Sequence, residues 1–274
     1  MKGRTMKLSE RFKVQPGSKV RLAHWDPDDT AGFPDKQSVE KKTQKNLQRL
    51  SELEYILYAE NKRSILIVLQ AMDAGGKDGT IRHVTGALNP QSCKVIPFKT
   101  PCEHELAHDF LWRVHQEAPR KGEIRIFNRS QYEDVLIVRV HNLVPKSVWS
   151  KRYDQINAFE EILARNDTHI LKFYLHISKD EQLERLRTRL KDSTRHWKID
   201  PADFAERKRW DDYMRAYEIA IGKCSTPPAP WFIIPANKKW FRNFAISQIL
   251  VEHLSALHMK FPEPTADLSK IKLK

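Results

Sequence analysis

Two hydrophobic patterns alternate along the chain. Short, nearly unbroken apolar runs are typical of strands buried on both faces of a parallel sheet. Segments with an apolar residue at every third or fourth position are typical of amphipathic helices. The predicted strands are 64–70, 93–98, 123–128, 169–177 and 231–236, and the predicted helices are 36–62, 77–88, 104–117, 147–166, 178–192, 202–222 and 238–257.

This alternation predicts an α/β fold with a mainly parallel sheet covered by helices on both faces. The 274 residues are enough for one large domain or two small ones. We predict a single domain over 1–274, with an irregular N-terminal extension at 1–35 and a loose C-terminal tail at 260–274.

Charge and composition narrow the function classes. The chain has 48 Lys and Arg against 35 Asp and Glu, a net charge of +13, which favours a polyanionic partner such as a nucleic acid or a chain of phosphates. The absence of a long apolar run and of an apolar leader argues against a membrane span and a secretory signal. Three cysteines without CxxC spacing argue against a disulfide framework and a zinc site. The predicted location is the cytoplasm.

A glycine-rich segment, QAMDAGGKDGT at 70–80, follows the first predicted strand. It resembles the phosphate-binding pattern G-x-x-x-x-G-K-[ST], with Ala71 in place of the first glycine and Asp78 in place of the hydroxyl residue. Glycines let main-chain amides converge on phosphate, and a lysine adds a mobile cation. An ordinary turn between strand and helix is the alternative. The predicted phosphate-binding residues here are Ala74, Gly75, Gly76, Lys77, Asp78, Gly79 and Thr80.

Two carboxylates in a phosphate-binding loop need a physical reason, because Asp73 would repel phosphate oxygens. A divalent cation between carboxylate and phosphate removes the conflict, and Mg²⁺ prefers such oxygen ligands. Asp73 is therefore interpreted as a Mg²⁺ ligand or as a base that orients the attacking oxygen. For Asp78 we favour a role as the cap of the following helix.

A second polar cluster, FNRSQYED at 127–134, follows the third predicted strand. Polar groups at the carboxyl end of a parallel strand face the ligand crevice. Asn128 and Arg129 are candidate phosphate ligands, since a guanidinium can bind phosphate through two donors. Glu133 or Asp134 is a candidate second metal ligand. A polar loop that only caps the next element is the alternative.

Arginines dominate RLRTRLKDSTRHWK at 185–198. Helical spacing places Arg185 and Arg189 on the face opposite Leu183, Leu186 and Leu190. This arrangement predicts a lid over phosphates at about 178–215, with Arg195 and Lys198 as further phosphate ligands. A solvated basic helix is the alternative.

Four motifs in this order resemble the polyphosphate kinase 2 family, over about Asp26 to Leu257. They are QAMDAGGKDGT, FNRSQYEDVLIVRVH, RLRTRLKD with the following WK, and STPPAPWFIIPANKKWF. The resemblance implies a P-loop kinase fold similar to thymidylate kinases, with three layers, a mainly parallel five-stranded sheet and a helical lid. It also implies transfer of the terminal phosphoryl group of inorganic polyphosphate to a nucleoside phosphate with Mg²⁺, or with Mn²⁺ in its place.

The resemblance assigns roles to matching positions. Asp73 becomes the catalytic carboxylate and a metal partner, Lys77 contacts phosphate, and Arg129 contacts phosphate at the reaction centre. Arg185, Arg189 and Lys198 match the lid residues of the family. Ser193, Thr194 and Arg195 depart from the usual lid sequence but keep its charge. The resemblance implies a homodimer or homotetramer, and neither nucleic acid nor membrane as a partner.

The second motif also bears on the acceptor. Relatives that accept mainly ADP tend to read FDRSWYNR, whereas this chain reads FNRSQYED. This resembles the branch that phosphorylates both AMP and ADP, with guanine nucleotides as further candidates. We hypothesise that the carboxylate of Glu133 helps to hold Mg²⁺ and so positions the shorter nucleotide.

Two rival functions remain open from sequence alone. An ATP-dependent nucleoside or nucleotide kinase would share the fold, although the hydroxyl residue normally found after the loop lysine is missing. A nucleic-acid-binding module would explain the charge but leaves Asp73 without a role. For a polyphosphate substrate, the sequence suggests a basic track leading to the loop, lined by some of Lys94, Lys99, Arg113, Arg120 and Lys121.

Overall fold

A five-stranded parallel sheet forms the centre of the protein. The computed structural model describes residues 7–271, apart from the side chains of Lys198 and Asp203. The strand order is β2-β3-β1-β4-β5, and every neighbouring pair is parallel. The strands are β1 (Ser64–Ala71), β2 (Cys93–Pro97), β3 (Ile124–Asn128), β4 (Thr168–His176) and β5 (Trp231–Pro235).

The central strand β1 explains the unbroken apolar run in the sequence. It pairs with β3 and β4, so that Ile65 lies opposite both Ile124 and His169. All eight residues of β1 are buried. A strand with neighbours on both sides and helices on both faces has no solvated face, so polar residues do not alternate along it.

Twelve α-helices surround the sheet in the described part of the chain. They are α1 (Leu8–Phe12), α2 (Gln37–Glu60), α3 (Lys77–Thr80), α4 (Glu103–Leu106), α5 (Trp112–Gln116), α6 (Ile137–Val140), α7 (Lys146–Trp149), α8 (Arg152–Arg165), α9 (Lys179–Lys191), α10 (Pro201–Glu206), α11 (Trp210–Cys224) and α12 (Lys239–Ala256). A π-helical turn, Ile81–Thr85, extends α3, and 3₁₀ turns occur at Leu22–His24, Gln131–Val135, Ser193–Lys198, Arg207–Arg209 and Leu268–Lys270.

The helices form two layers, one on each face of the sheet. Residues 169 and 172 point to opposite faces of β4, because side chains alternate along a strand. His169 lies against His253 of α12, with ring centroids 5.5 Å apart, whereas Lys172 bonds to Glu160 of α8. Helix α2 packs on α12, and α11 packs on α8. The predicted three-layer α/β fold with a five-stranded sheet is confirmed.

Three predicted helices are interrupted. The segment 104–117 forms two short helices, α4 and α5, because the carboxylate of Asp109 accepts a hydrogen bond from the Leu111 amide (2.9 Å) and starts a turn. The segment 147–166 is divided into α7 and α8, and the segment 202–222 is divided by the 3₁₀ turn Arg207–Arg209. Periodicity alone does not reveal such local breaks.

The N-terminal segment is more ordered than the sequence predicted. Helix α1 is buried against α12, with the rings of Phe12 and Phe241 5.9 Å apart. The Val14 amide donates to the Trp231 carbonyl (2.9 Å), and an isolated antiparallel bridge joins Lys13 to Phe232. Apart from α1 and the turn at Leu22–His24 the described segment is mostly irregular, as predicted, but it adds buried side chains to the core, such as Phe12 and Val14. Residues 1–6 and 272–274 lie outside the described residues.

Candidate active site

The glycine-rich loop turns the chain from β1 into α3. The Gly75 amide donates to the Met72 carbonyl (2.9 Å), and Ala74 and Gly76 have φ values of 59° and 102°. A Cβ atom at position 75 would lie 2.5 Å from Cβ of Ala71. Position 76 favours glycine because of its left-handed backbone. The sequence of the loop is therefore dictated by its tight path into the helix.

Lys77 starts helix α3 and folds its side chain back over the loop. Its Nζ donates to the Ala71 carbonyl at 3.1 Å. Burial lowers the pKa of Lys77, with Asp73 and Glu133 favouring its charge and Arg129 opposing it. The ammonium group is therefore partly desolvated and lies within electrostatic range of Asp73, Arg129 and Glu133, the other three residues predicted to be catalytic.

The two predicted catalytic carboxylates approach from neighbouring strands. Asp73 follows β1, Arg129 directly follows β3, and Glu133 lies in the 3₁₀ turn after that strand. Nη2 of Arg129 is 3.4 Å from Oδ1 of Asp73. Burial raises the pKa of Glu133, while Arg129 and Lys77 counteract this rise and the charge of Asp73 adds to it. The four residues form one electrostatically coupled cluster.

The cluster suits a divalent cation whose remaining ligands come from the substrate. The charge of Asp73 acts on Glu133, and both side chains offer oxygen atoms that can bind a metal. Within residues 7–271, no group of three or more His, Cys, Asp and Glu side chains is arranged to hold a metal. Mg²⁺ typically uses one or two carboxylates, waters and substrate phosphates rather than a full protein cage. The residues present fit that mode of binding.

Asn128 and Asp78 link the two motifs directly. Nδ2 of Asn128 donates to Oδ1 of Asp78 at 3.1 Å. The N-cap of α3 is Gly76, and Asp78 lies inside the first turn of that helix. The prediction that Asp78 caps the helix is therefore wrong. Its carboxylate instead faces the end of β3, where it orients an amide beside the site.

Thr80 and Gly79 complete the predicted loop residues. Thr80 is buried, and its Oγ1 has no hydrogen-bond partner in the described part of the chain. Its amide donates to the Gly76 carbonyl at 2.9 Å. The side of Gly79 that a Cβ would occupy faces Nη2 of Arg242, 3.2 Å away. Thr80 is therefore buried beneath the loop, and Gly79 leaves room for the Arg242 guanidinium.

Arg185 does not lie on an exposed lid face. It is 8% exposed, and its guanidinium reaches main-chain carbonyls of the glycine-rich loop and of the segment after β5. The bonds from Arg185 are Nη1 to Ala74 (3.0 Å) and Gly75 (3.1 Å), Nη2 to Ala236 (2.5 Å) and Asn237 (3.1 Å), and Nε to the Glu181 carboxylate (2.6 Å). The structure places this arginine as a brace of the loop, and a phosphate-binding role stays a prediction.

The predicted orientation of helix α9 is therefore wrong. Gln182, Arg185 and Leu186 are its buried residues, while Leu190 is exposed. Nε2 of Gln182 donates to the Asp73 carbonyl at 3.0 Å. The helix turns polar side chains inward because the loop and the end of β5 offer unpaired carbonyls, which an apolar side chain would leave unsatisfied.

Of the other predicted lid residues, Arg189 lies in the last turn of α9, and Arg195 lies in the 3₁₀ turn that follows this helix. Arg189 is half-buried, and Arg195 is exposed, with its Nε 2.8 Å from Oδ2 of Asp192. The side chain of Lys198 lies outside the described residues. The extent of the lid and the phosphate-binding roles of these residues stay predictions.

A buried ionic network behind the site was not predicted from sequence. Lys172 of β4 bonds to the Glu160 carboxylate and, at 2.8 Å, to the Tyr132 hydroxyl. Glu160 also accepts from Nε2 of Gln131 at 3.0 Å. The network therefore anchors the 3₁₀ turn that carries Glu133. A lone lysine inside the apolar strand HILKFYLHI was the signal that the sequence offered.

Only part of the predicted basic track lies at the carboxyl ends of the strands, where the glycine-rich loop is. Lys99 and Arg113 lie near the carboxyl end of β2, and the Arg113 guanidinium donates to the Lys99 carbonyl at 2.9 Å. Arg120 and Lys121 precede β3, and Lys121 lies 3.4 Å from the carboxylate of Asp167, which precedes β4. They belong to the amino ends of the strands. Their assignment to the track is wrong.

Among residues 7–271, no helix has both the length and the apolar character needed to cross a membrane. A family model described as "Polyphosphate kinase 2 (PPK2)" matches residues 34–262. This match covers all five strands of the sheet and all of the residues that form the site.

Two curated relatives are similar along nearly their full lengths. An AMP/ADP-polyphosphate phosphotransferase of Meiothermus ruber is 52% identical over 96% of this chain and 98% of the relative. An ADP-polyphosphate phosphotransferase of Rhodopseudomonas palustris is 43% identical over 94% of this chain and 93% of the relative.

The fold is also that of a solved member of the family. The crystal structure of polyphosphate kinase 2 from Arthrobacter aurescens TC1 superimposes with a TM-score of 0.93 and is 42% identical, covering 97% of this chain and 95% of that one. The resemblance seen in the four sequence motifs is confirmed: the chain belongs to the polyphosphate kinase 2 family.

Proposed function

We propose that this chain transfers the terminal phosphoryl group of inorganic polyphosphate to AMP and to ADP, giving ADP and ATP. The observation that carries the proposal is the cluster of Asp73, Lys77, Arg129 and Glu133 at the glycine-rich loop. The names of the relatives from Meiothermus ruber and Rhodopseudomonas palustris support the same donor and acceptors.

The cluster supplies what phosphoryl transfer needs. Such reactions depend mostly on positioning and on neutralising the charge that spreads over the phosphate oxygens. Lys77 and the loop amides hold phosphate, and Arg129 donates to the transferring group. A phosphate oxygen of the nucleotide attacks the terminal phosphorus in line, forming one P–O bond while the bond to the shortened polyphosphate breaks. This direct displacement requires no phosphoenzyme.

Asp73 and Glu133 are the residues that would hold a divalent cation, with Mg²⁺ as the natural ion and Mn²⁺ as its substitute. When bound, the cation neutralises charge between these carboxylates and the phosphate oxygens. Burial raises the pKa of Glu133 and so disfavours its charge, and a neighbouring cation favours the ionised form that binds metal. Glu133 is also the residue we associate with use of AMP.

The lid residues contribute positive charge in this proposal. Arg189, Arg195 and Lys198 bring positive charge toward the phosphates when the segment 178–215 closes over them. The remaining components are a single domain over 1–274, a homodimer or homotetramer, guanine nucleotides as further acceptors and a cytoplasmic location. The first three rest on the family resemblance, and the cytoplasmic location rests on the composition of the sequence.

A comparison of donors tests the proposal. Purified protein is incubated with Mg²⁺, long-chain polyphosphate and either AMP or ADP, and the products are separated by chromatography. We expect ADP to form from AMP and ATP from ADP when polyphosphate is present, and no product to form when EDTA is included from the start. Phosphorylation only with ATP as donor would establish the rival nucleotide kinase, and tight nucleic-acid retention without turnover would establish the binding module.

A further inference from the structure

A second arginine, Arg242, lies directly against the glycine-rich loop. It belongs to helix α12 and is 2% exposed. Its Nη1 is 1.9 Å from the point where residue 76 would carry a Cβ atom, and its Nη2 is 3.2 Å from the corresponding point of Gly79. The two glycines thus leave the space that the buried guanidinium fills, beyond the requirement of Gly76 for its positive φ.

The hydrogen bonds of Arg242 are unusual for a buried guanidinium. Nε and Nη2 both donate to Oδ1 of the neutral Asn243, at 3.1 and 2.8 Å. In the described part of the chain Arg242 forms no ion pair, whereas Arg185 on the same side of the loop is paired with Glu181. Buried charges normally have an ionic partner, because removing them from water is costly.

The guanidiniums of Arg242 and Arg185 and the carboxylate of Glu181 together carry one net positive charge next to the loop. Burial and the nearby charge of Arg185 lower the pKa of Arg242 to about 10, so it stays protonated at neutral pH. A second guanidinium at this place makes the unliganded protein less stable, because like charges repel at short range. A bound polyanion would reverse that effect.

We propose that Arg242 is a positioning residue for polyphosphate: its charge, held against Gly76 and Gly79 without an acidic partner, is balanced by the phosphates that the loop binds. The residue acts through the loop, because its burial keeps it from touching the ligand in this conformation. The proposal rests on polyphosphate as the substrate and deepens it, since it assigns part of the binding energy to a side chain outside the four-residue cluster.

The charge can be removed while most of the volume is kept, with Arg242→Met. Arg242→Gln provides a second uncharged variant if the methionine variant does not fold, and Arg242→Lys restores a cation. Arg63→Met is the matched control, because Arg63 is a half-buried arginine before β1, at the opposite end of that strand, where its Nη1 donates to the Leu257 carbonyl. Each protein is melted with and without tripolyphosphate and Mg²⁺, and KM for long-chain polyphosphate is measured.

We expect both uncharged variants to melt no lower than wild type without ligand and to lose more than half of the rise in melting temperature that tripolyphosphate gives. Their KM for polyphosphate rises about tenfold, as expected from loss of one charge interaction across a partly buried site. The lysine variant recovers part of the rise. The Arg63 control keeps the full rise.

If Arg242 has only a structural role, we expect the opposite changes in melting temperature. The uncharged variants would then melt lower without ligand and keep the full rise with tripolyphosphate, and this result would overturn the proposal. Wild-type protein that neither transfers phosphate from polyphosphate nor gains stability from it would instead refute the proposed function itself, so the two failures are distinguishable.

Discussion

Nη2 of Arg129 lies 3.4 Å from Oδ1 of Asp73, so the glycine-rich loop and the polar segment after β3 meet in an ion pair. Arg129 adopts a left-handed backbone conformation, with φ at 65°. Such a conformation is rare outside glycine and is strained for a long side chain. The neighbouring anchors, such as the bond between Gln70 and Ser130 (3.1 Å), hold the segment that carries this strain.

Asp73→Asn is expected to abolish most of the transfer activity. The change removes a charge that can hold Mg²⁺ and orient Arg129, and loss of one such electrostatic group lowers kcat by roughly 10²–10³-fold. The side chain of Asp73 is partly exposed, so the free energy of unfolding changes by less than about 1 kcal/mol. Steady-state kinetics with saturating polyphosphate and a urea denaturation curve measure the two effects.

Asp167→Asn is the matched control for that change. Asp167 also forms an ion pair, 3.4 Å from Lys121, but it lies at the amino end of the strands. Wild-type activity in this control and in Asp73→Asn alike would show that the carboxylate beside the loop has no catalytic role.

Glu133→Asn is expected to change the choice of acceptor. The carboxylate of Glu133 interacts with Arg129 and Lys77, and we associate it with the metal that positions the shorter nucleotide. The rate with AMP should fall about fivefold more than the rate with ADP. Parallel assays with each acceptor give the ratio, Glu117→Gln serves as the control, and an unchanged ratio would remove Glu133 from acceptor choice.

The four-residue cluster was predictable because it depends on a general property of parallel sheets. Residues at the carboxyl ends of adjacent strands converge, and the motifs around Asp73 and Arg129 each follow an apolar run that reads as such a strand. The error over Arg120 and Lys121 has the same origin: both lie beside a strand, but they precede β3 and so belong to its amino end.

The positions of Arg185 and Arg242 were not predictable in the same way. A helical pattern with leucines on one face indicates that this face is buried, yet Arg185 is buried because distant main-chain carbonyls, such as those of Gly75 and Ala236, accept its donors. Main-chain carbonyls that need such a donor come together only when loops that are distant in sequence meet in the fold. The sequence alone contains no periodicity that records it.

Acid is expected to destabilise the protein through His176. Burial lowers the pKa of this histidine to about 4, and its Nδ1 has no hydrogen-bond partner among the described residues. The unfolded chain binds the proton near pH 6.5 and the folded chain only near pH 4, so stability present above pH 6.5 is lost as the pH falls toward 4. At pH 5.5 the loss from this residue is about 1.4 kcal/mol.

Urea denaturation at pH 7.5 and pH 5.5 measures this loss. His176→Asn should reduce the difference in unfolding free energy between the two pH values by about that amount, whatever its effect at pH 7.5. His104→Asn is the control, because His104 is exposed. An equal pH dependence in the His176 variant and in wild type would contradict the assignment.

Lys172→Met is expected to be strongly destabilising, because Lys172 and Glu160 are both fully buried. Removing one partner leaves an uncompensated charge in the core, at about 3–5 kcal/mol. Burial raises the pKa of Glu160 and the charge of Lys172 opposes that rise, so the double variant Lys172→Met with Glu160→Gln should recover part of the loss.

A double-mutant cycle in urea separates the pair from its surroundings. The exposed pair of Lys121 and Asp167 is the control, and it should give a coupling below about 1 kcal/mol. Glu160 also accepts from the Tyr132 hydroxyl at 2.8 Å, and Tyr132 precedes Glu133. Lys172→Met should therefore lower kcat at temperatures where it is still folded, since the turn that carries Glu133 loses its anchor. A coupling no larger than that of the exposed pair, with unchanged kcat, would show that the network neither stabilises the core nor positions the site.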